Sequence, residues 1–122
     1  MKGFSFIDIN MGCPTKKVVK NNGGAGLLTD IDKMISILNA VKIMSPLPVS
    51  VKIRLGFKRG EGGETERALA LKENGACFLT LHGRYASDLY RGNADWEKIA
   101  KVKEALGEDY ILIGNGDIKT KE

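Results

Sequence analysis

Val49-Ser50-Val51-Lys52-Ile53-Arg54-Leu55 alternates apolar and polar side chains along its whole length. A period of two marks a strand with unlike faces. Ser50, Lys52 and Arg54 share one face, and Val49, Val51 and Ile53 share the other. Residues 4–10 repeat the pattern, with Asp8 and Asn10 opposing Ile7 and Ile9. Residues 78–82 do so again: Thr80, His82 and, beyond them, Arg84 oppose Leu79 and Leu81. A fourth strand is expected at 110–114.

Helical patterns separate these strands. Asp30 can cap a helix running to about Met44, whose Ile31, Met34, Ile35, Leu38 and Val41 keep helical spacing. Pro46 and Pro48 stop it. A glycine-rich, charged loop at 56–63 opens a helix at 64–74, with Gly75 as a left-handed stop. Asp95 caps a helix at 96–106, and Gly107 ends it. Residues 13–28 read as a loop with short helical pieces.

Strands alternating with helices predict a parallel α/β sheet with right-handed crossovers. A doubly wound sheet buries both faces, and its strands read as continuous apolar runs. A polar face on each of the first three strands instead fits a barrel whose interior holds catalytic groups. The expected fold is therefore a partial TIM (β/α)8 barrel of about four consecutive βα units. A complete barrel has eight strands and typically ~250 residues.

The chain has 122 residues, 43% of them hydrophobic, which suits a small globular unit with a real core. No apolar run approaches the length of a membrane span. The start, Met1-Lys2-Gly3-Phe4, has no signal-peptide pattern, so a cytoplasmic protein is expected. Cys13 and Cys77 share no Cys-x-x-Cys spacing, and the sequence gives a disulfide no support. With one His in the chain no metal site is expected. A net charge of +4 fits a polyanionic partner and many ordinary proteins alike.

Phe6-Ile7-Asp8-Ile9-Asn10-Met11-Gly12-Cys13-Pro14 carries the sharpest chemistry. A polar-faced strand ends in a carboxamide, and a thiol follows three residues later, where barrels place their reaction centres. A lone cysteine is more often a small buried hydrophobe. In this setting Cys13 reads as a general acid, since an unperturbed thiol is mostly protonated near neutral pH.

The stretch resembles the signature of the bacterial, FMN-dependent tRNA-dihydrouridine synthases. The likeness continues through Lys16-Lys17-Val18, Gly23-Gly24-Ala25-Gly26 and Leu27-Leu28. It recurs in order at Val51-Lys52-Ile53-Arg54, Leu81-His82-Gly83-Arg84 and Asn115-Gly116-Asp117, and so covers nearly the whole chain. The resemblance implies NADPH-dependent, FMN-mediated reduction of the C5=C6 bond of uridine in tRNA, with Cys13 protonating C5. It implies flavin contacts from Lys52, His82, Asn115, Gly116 and Asp117. It places Asn10 beside flavin and uridine; Arg54, sharing the face of Lys52, and Arg84, in a basic loop, are read from their own setting as contacts to the substrate, Arg54 to RNA or phosphate. In the family, three further strands precede this stretch, and a last strand and a helical tRNA-binding domain follow it. Residues 1–122 then correspond to a central fragment of the FMN-binding catalytic barrel, with little or no activity alone. Its open sheet edges offer a route to self-association.

Several readings stay open beside this one. Asn10 also suits a loop cap, Lys52 a solvated edge lysine, His82 a structural role, and Asn115-Gly116 a plain turn. Burial of Lys52 by neighbouring strands argues against solvation. Lys16, Lys17 and Lys20 guide an RNA backbone or form a solvated helix face. Arg84, Tyr85 and Arg91 read as a basic loop with an aromatic, a combination suited to RNA. Alternative functions are another FMN-dependent barrel oxidoreductase, or a non-catalytic RNA-binding fragment. Thr15 departs from the family pattern, which often has Ala there, and Val19, Lys20 and Asn21 depart from a polar-Arg-Lys stretch.

Overall fold

The computed structural model describes residues 3–21 and 23–121; Met1 and Lys2 of the N-terminal reading lie outside them. Strand β1 (Ile7–Met11) leads through helix α1 (Lys16–Lys20) and a 3-10 turn (Gly24–Thr29) to α2 (Ile31–Met44). Strand β2 (Val49–Gly56), helix α3 (Glu64–Glu73) and strand β3 (Leu79–Tyr85) follow. A second 3-10 turn (Ala86–Asp88), helix α4 (Trp96–Leu106) and strand β4 (Leu112–Asn115) complete the order.

The strands form one parallel sheet in the order β1-β2-β3-β4. Sequence order equals spatial order, so the sheet has no point where winding reverses. Among these four strands that order fits an arc of the barrel type. Strand faces divide as the alternation predicts. Val49, Val51, Ile53, Leu55, Leu79 and Leu81 are buried on the helix side. Met34 and Leu38 of α2, Leu71 of α3, and Ile99 and Val102 of α4 cover them. Among the described residues no helix is long and apolar enough to cross a membrane.

The helix caps act as read. Asp30 accepts from Lys33 N, and Asp95 accepts from Lys98 N, each at 3.0 Å. Strand ends differ more. Pairing of β1 begins only at Ile7, because its partner begins at Val49 and Ile7 N already donates to the Pro48 carbonyl. Residues 4–6 therefore have no ladder. Strand β3 runs three residues past His82, and its register against β2 slips between Arg54 and Gly56. A bulge of this kind re-aims side chains, and here it lies beside the polar face.

Candidate active site

The carboxyl ends of the four strands converge on an open cleft of about 430 Å³. Asn10, Cys13, Lys52, Arg54, His82 and Asn115, all singled out in the sequence, line it together. Register explains the convergence: Asn10 pairs with Lys52, Arg54 with His82, and His82 with Asn115.

The cysteine loop is held by backbone bonds. Asn10 Oδ1 accepts from Gly12 N and Cys13 N, both at 3.0 Å, so this amide does cap its loop. Its oxygen is engaged, and its N–H groups have no partner among the described residues. The Cys13 carbonyl accepts from Ala25 N at 2.8 Å. Gly24 sits beneath it at φ +51°, and a Cβ there would come within 2.6 Å of the Cys13 carbonyl oxygen. Cys13 is half-buried, with Sγ 3.3 Å from Thr15 Oγ1. Hydrogen bonding to Thr15 lowers the thiol pKa from its ordinary value; Arg54 and Lys52 lower it further, and burial opposes them.

Arg54 is buried on the polar face, and its Nη1 donates to the carbonyls of Tyr85 (3.2 Å) and Leu89 (2.7 Å). Leu89 adopts φ +54°, a strained setting for a branched residue, with its carbonyl on Arg54. The exposed ring of Tyr90 lies 5.3 Å from the guanidinium and 6.0 Å from the His82 ring.

His82 Nε2 lies 3.0 Å from Arg84 Nη1. Arginine only donates, so Nε2 accepts and the ring proton sits on Nδ1. Burial, then the charges of Arg54, Arg84 and Lys52, push the His82 pKa down to about 4. A pH dependence follows. Unfolded, the imidazole takes its proton near pH 6.5; folded, it does so only near 4. As pH falls through that window the unfolded chain binds the proton first, so the fold loses about 2–3 kcal/mol. Urea midpoints measured against pH should show this loss in the parent and not in His82→Gln. Parallel profiles for the two proteins would refute it.

Three assignments meet a different environment. Lys52 is exposed, not buried: strands flank it on both sides, but pairing covers the edges of β2 and not the face on which Lys52 stands. Arg84 is buried and engaged internally, donating to the carbonyls of Arg91 (3.2 Å) and Gly92 (2.9 Å) and to Asp117 Oδ1 (2.6 Å). Tyr85 is buried on the helix face, in phase with Leu79 and Leu81, so the loop's exposed aromatic is Tyr90. Asp117 also accepts from Ala94 N at 2.7 Å, and the Gly116 carbonyl accepts from Trp96 Nε1 at 2.9 Å. Gly116, at φ +109°, packs so closely that a Cβ would come within 2.8 Å of His82 Cδ2. Gly116 and Asp117 thus brace the turn and border a second hollow of about 390 Å³, while Asn115 reaches the main cleft. Sequence reasoning missed Tyr90 and the contact of Thr15 with the thiol. Strand parity at 85 was the available signal for the first; no periodicity announces the second. Cys13 and Cys77 are both free thiols, at opposite ends of the sheet.

Comparison with known proteins agrees with this geometry. The family model described as "Dihydrouridine synthase (Dus)" matches residues 1–122. The chain belongs to the dihydrouridine synthase family. It is 44% identical to "Probable tRNA-dihydrouridine synthase 1" of Synechocystis sp., over 99% of this chain and 34% of the relative. It is 36% identical to "Probable tRNA-dihydrouridine synthase" of Rhizobium leguminosarum bv. phaseoli, over 97% and 37% respectively. It is 40% identical to "tRNA-dihydrouridine synthase B" of Pseudomonas aeruginosa, over 98% and 36%. The chain therefore spans little more than a third of the length of these curated relatives.

Proposed function

We propose that this chain supplies the Cys13 arm and the central strands of a tRNA-dihydrouridine synthase active site. The observation that carries the reading is the Cys13 thiol facing a cleft lined by Lys52, Arg54 and a neutral His82. The names of the relatives point the same way.

The cleft suits a flavin. Its exposed ammonium and buried guanidinium would favour an electron-rich ring, and neutral His82 and Asn115 can hydrogen-bond a heterocycle edge. Lys52, Arg54, His82 and Asn115 would hold FMN there. The nearest cation to the Asn-Gly-Asp turn, Arg84, is already paired with Asp117, so no grip on the phosphate is assigned to it. When bound, FMN recharged by NADPH supplies the two-electron reduction.

The chain's own residues do the rest. Cys13 gives its S–H proton to C5 of the uracil, and Asn10 offers amide N–H groups to a uracil carbonyl. The target uridine must leave its stack to reach this depth. Lys16, Lys17 and Lys20 are exposed beside the cysteine loop, where an RNA backbone would need countercharge. Four strands do not close a barrel, so the 122-residue chain alone is expected to show little or no turnover.

The test is a chimera in which this chain replaces the aligned stretch of the P. aeruginosa relative. With NADPH and unmodified tRNA, the chimera should add two hydrogens to a uridine, read by nucleoside mass spectrometry. A folded chimera that makes no dihydrouridine would reject the proposal.

A further inference from the structure

We propose that Thr15 is a positioning residue for the Cys13 thiol: its hydroxyl fixes Sγ at the cleft and stabilises the sulfur once its proton has left. This rests on the reading of Cys13 as the proton donor.

The local geometry is unusual for a threonine in this place. Thr15 is the N-cap of α1, with φ −62° and ψ 140°. An N-cap threonine ordinarily turns its oxygen to a free N–H of the first helical turn. Here it makes no such bond, and its hydroxyl instead meets the sulfur at 3.3 Å. The Thr15 carbonyl still opens the helix, accepting from Val19 N at 3.0 Å.

Everything else about Cys13 is fixed through its backbone. Asn10 Oδ1 holds its N–H, Ala25 N holds its carbonyl, and Pro14 follows it. These bonds leave the Cα–Cβ rotor free; the Thr15 hydroxyl is the side-chain group that bonds the sulfur, and the Thr15 backbone N–H acts on it as the smaller of the two. The charges acting on the thiol come from β2, Lys52 and Arg54, while His82 across the cleft is neutral.

Proton donation breaks the S–H bond and leaves its electron pair on sulfur. The proton joins uracil C5, which holds the former C5=C6 π pair once a hydride from the reductant has formed the new C6–H bond. A hydroxyl donating to the thiolate favours this product side. It also makes the thiol a stronger acid than it would otherwise be, the direction seen in Cys13. Solvent restores the proton between turnovers.

The experiment is the pH profile of iodoacetamide alkylation on the 122-residue chain. A Cys77→Ser background leaves Cys13 as the one thiol. Thr15→Val and Thr15→Ala should both move the profile to higher pH and slow alkylation about fivefold near neutral pH. Thr15→Ser should keep the parent profile. Because Thr15 makes no side-chain cap, circular dichroism should show α1 and the fold unchanged in all three. Superimposable profiles for parent, Val and Ala overturn the proposal, as does a Ser profile displaced as far as that of Val. The titration reads the sulfur whether or not the thiol is the acid. Flat profiles alongside a Cys13→Ala chimera that has lost activity overturn Thr15's role alone, whereas an active Cys13→Ala chimera overturns the reading beneath it.

Discussion

Cys13→Ala in the active chimera lowers dihydrouridine formation by about a hundredfold or more. General acid catalysis by a positioned side chain typically contributes 10²–10⁴-fold, and Cys13 is the thiol that lines the cleft. His82 is held neutral by burial and the neighbouring cations, and would have to give up an imidazole proton. The side chain of Cys13 is half-buried, and Thr15 is its hydrogen-bonding partner. Truncation therefore removes a proton without opening the core. The loss should fall on kcat, with KM for tRNA unchanged, because the contact that matters exists in the transition state. Cys13→Ser should fare as badly, since an alcohol is a much weaker acid than a thiol. Single-turnover rates for the three proteins check this. A fall of less than about tenfold in Cys13→Ala would remove Cys13 from the chemistry.

The sequence and the structure agree where periodicity or capping carries the information. Alternation at 49–55 and 78–82 placed Arg54 and His82 on one face because a strand's side chains must alternate, whatever the surroundings. Asp30 and Asp95 were legible as caps because a carboxylate before an amphipathic run satisfies free N–H groups locally. Tertiary contacts left no such trace. Arg84 looked like an RNA-facing residue, yet a bulge in β3 and the return of the chain at Asp117 enclose it. Lys52 was expected under neighbouring strands, but pairing along a sheet covers a strand's edges and not its face. The specific chemistry of Cys13 came from resemblance; spacing alone supports a polar-faced barrel arc with one well-placed thiol.

Arg84→Met should be the most damaging substitution on the polar face for stability, by about 2–3 kcal/mol. The arginine joins parts of the chain far apart in sequence: the carbonyls of Arg91 and Gly92, the ring of His82, and the carboxylate of Asp117. Methionine fills similar volume and satisfies none of these acceptors. The buried His82 nitrogen left without its donor costs about 1 kcal/mol or more, and the bonds lost to the Arg91 and Gly92 carbonyls, on exposed residues, add about 0.5–1 kcal/mol each. Nothing is added for the ion pair, because the Asp117 carboxylate reaches solvent and can hydrate. Function should suffer through the same contacts. The loop that presents Tyr90 is tied to β4 by Arg84 on one side and by the Asp117 bond to Ala94 N on the other. Releasing it loosens the wall of the cleft. One cation near His82 disappears as well, so the imidazole pKa should rise from about 4 toward its ordinary value. Denaturant midpoints measure the first effect, and the histidine ring shift followed by NMR against pH measures the second. A stable variant with an unmoved His82 titration would mean that Arg84 is a surface charge after all. An unstable variant with a raised pKa would mean that the buried arginine both braces the turn and keeps the histidine neutral.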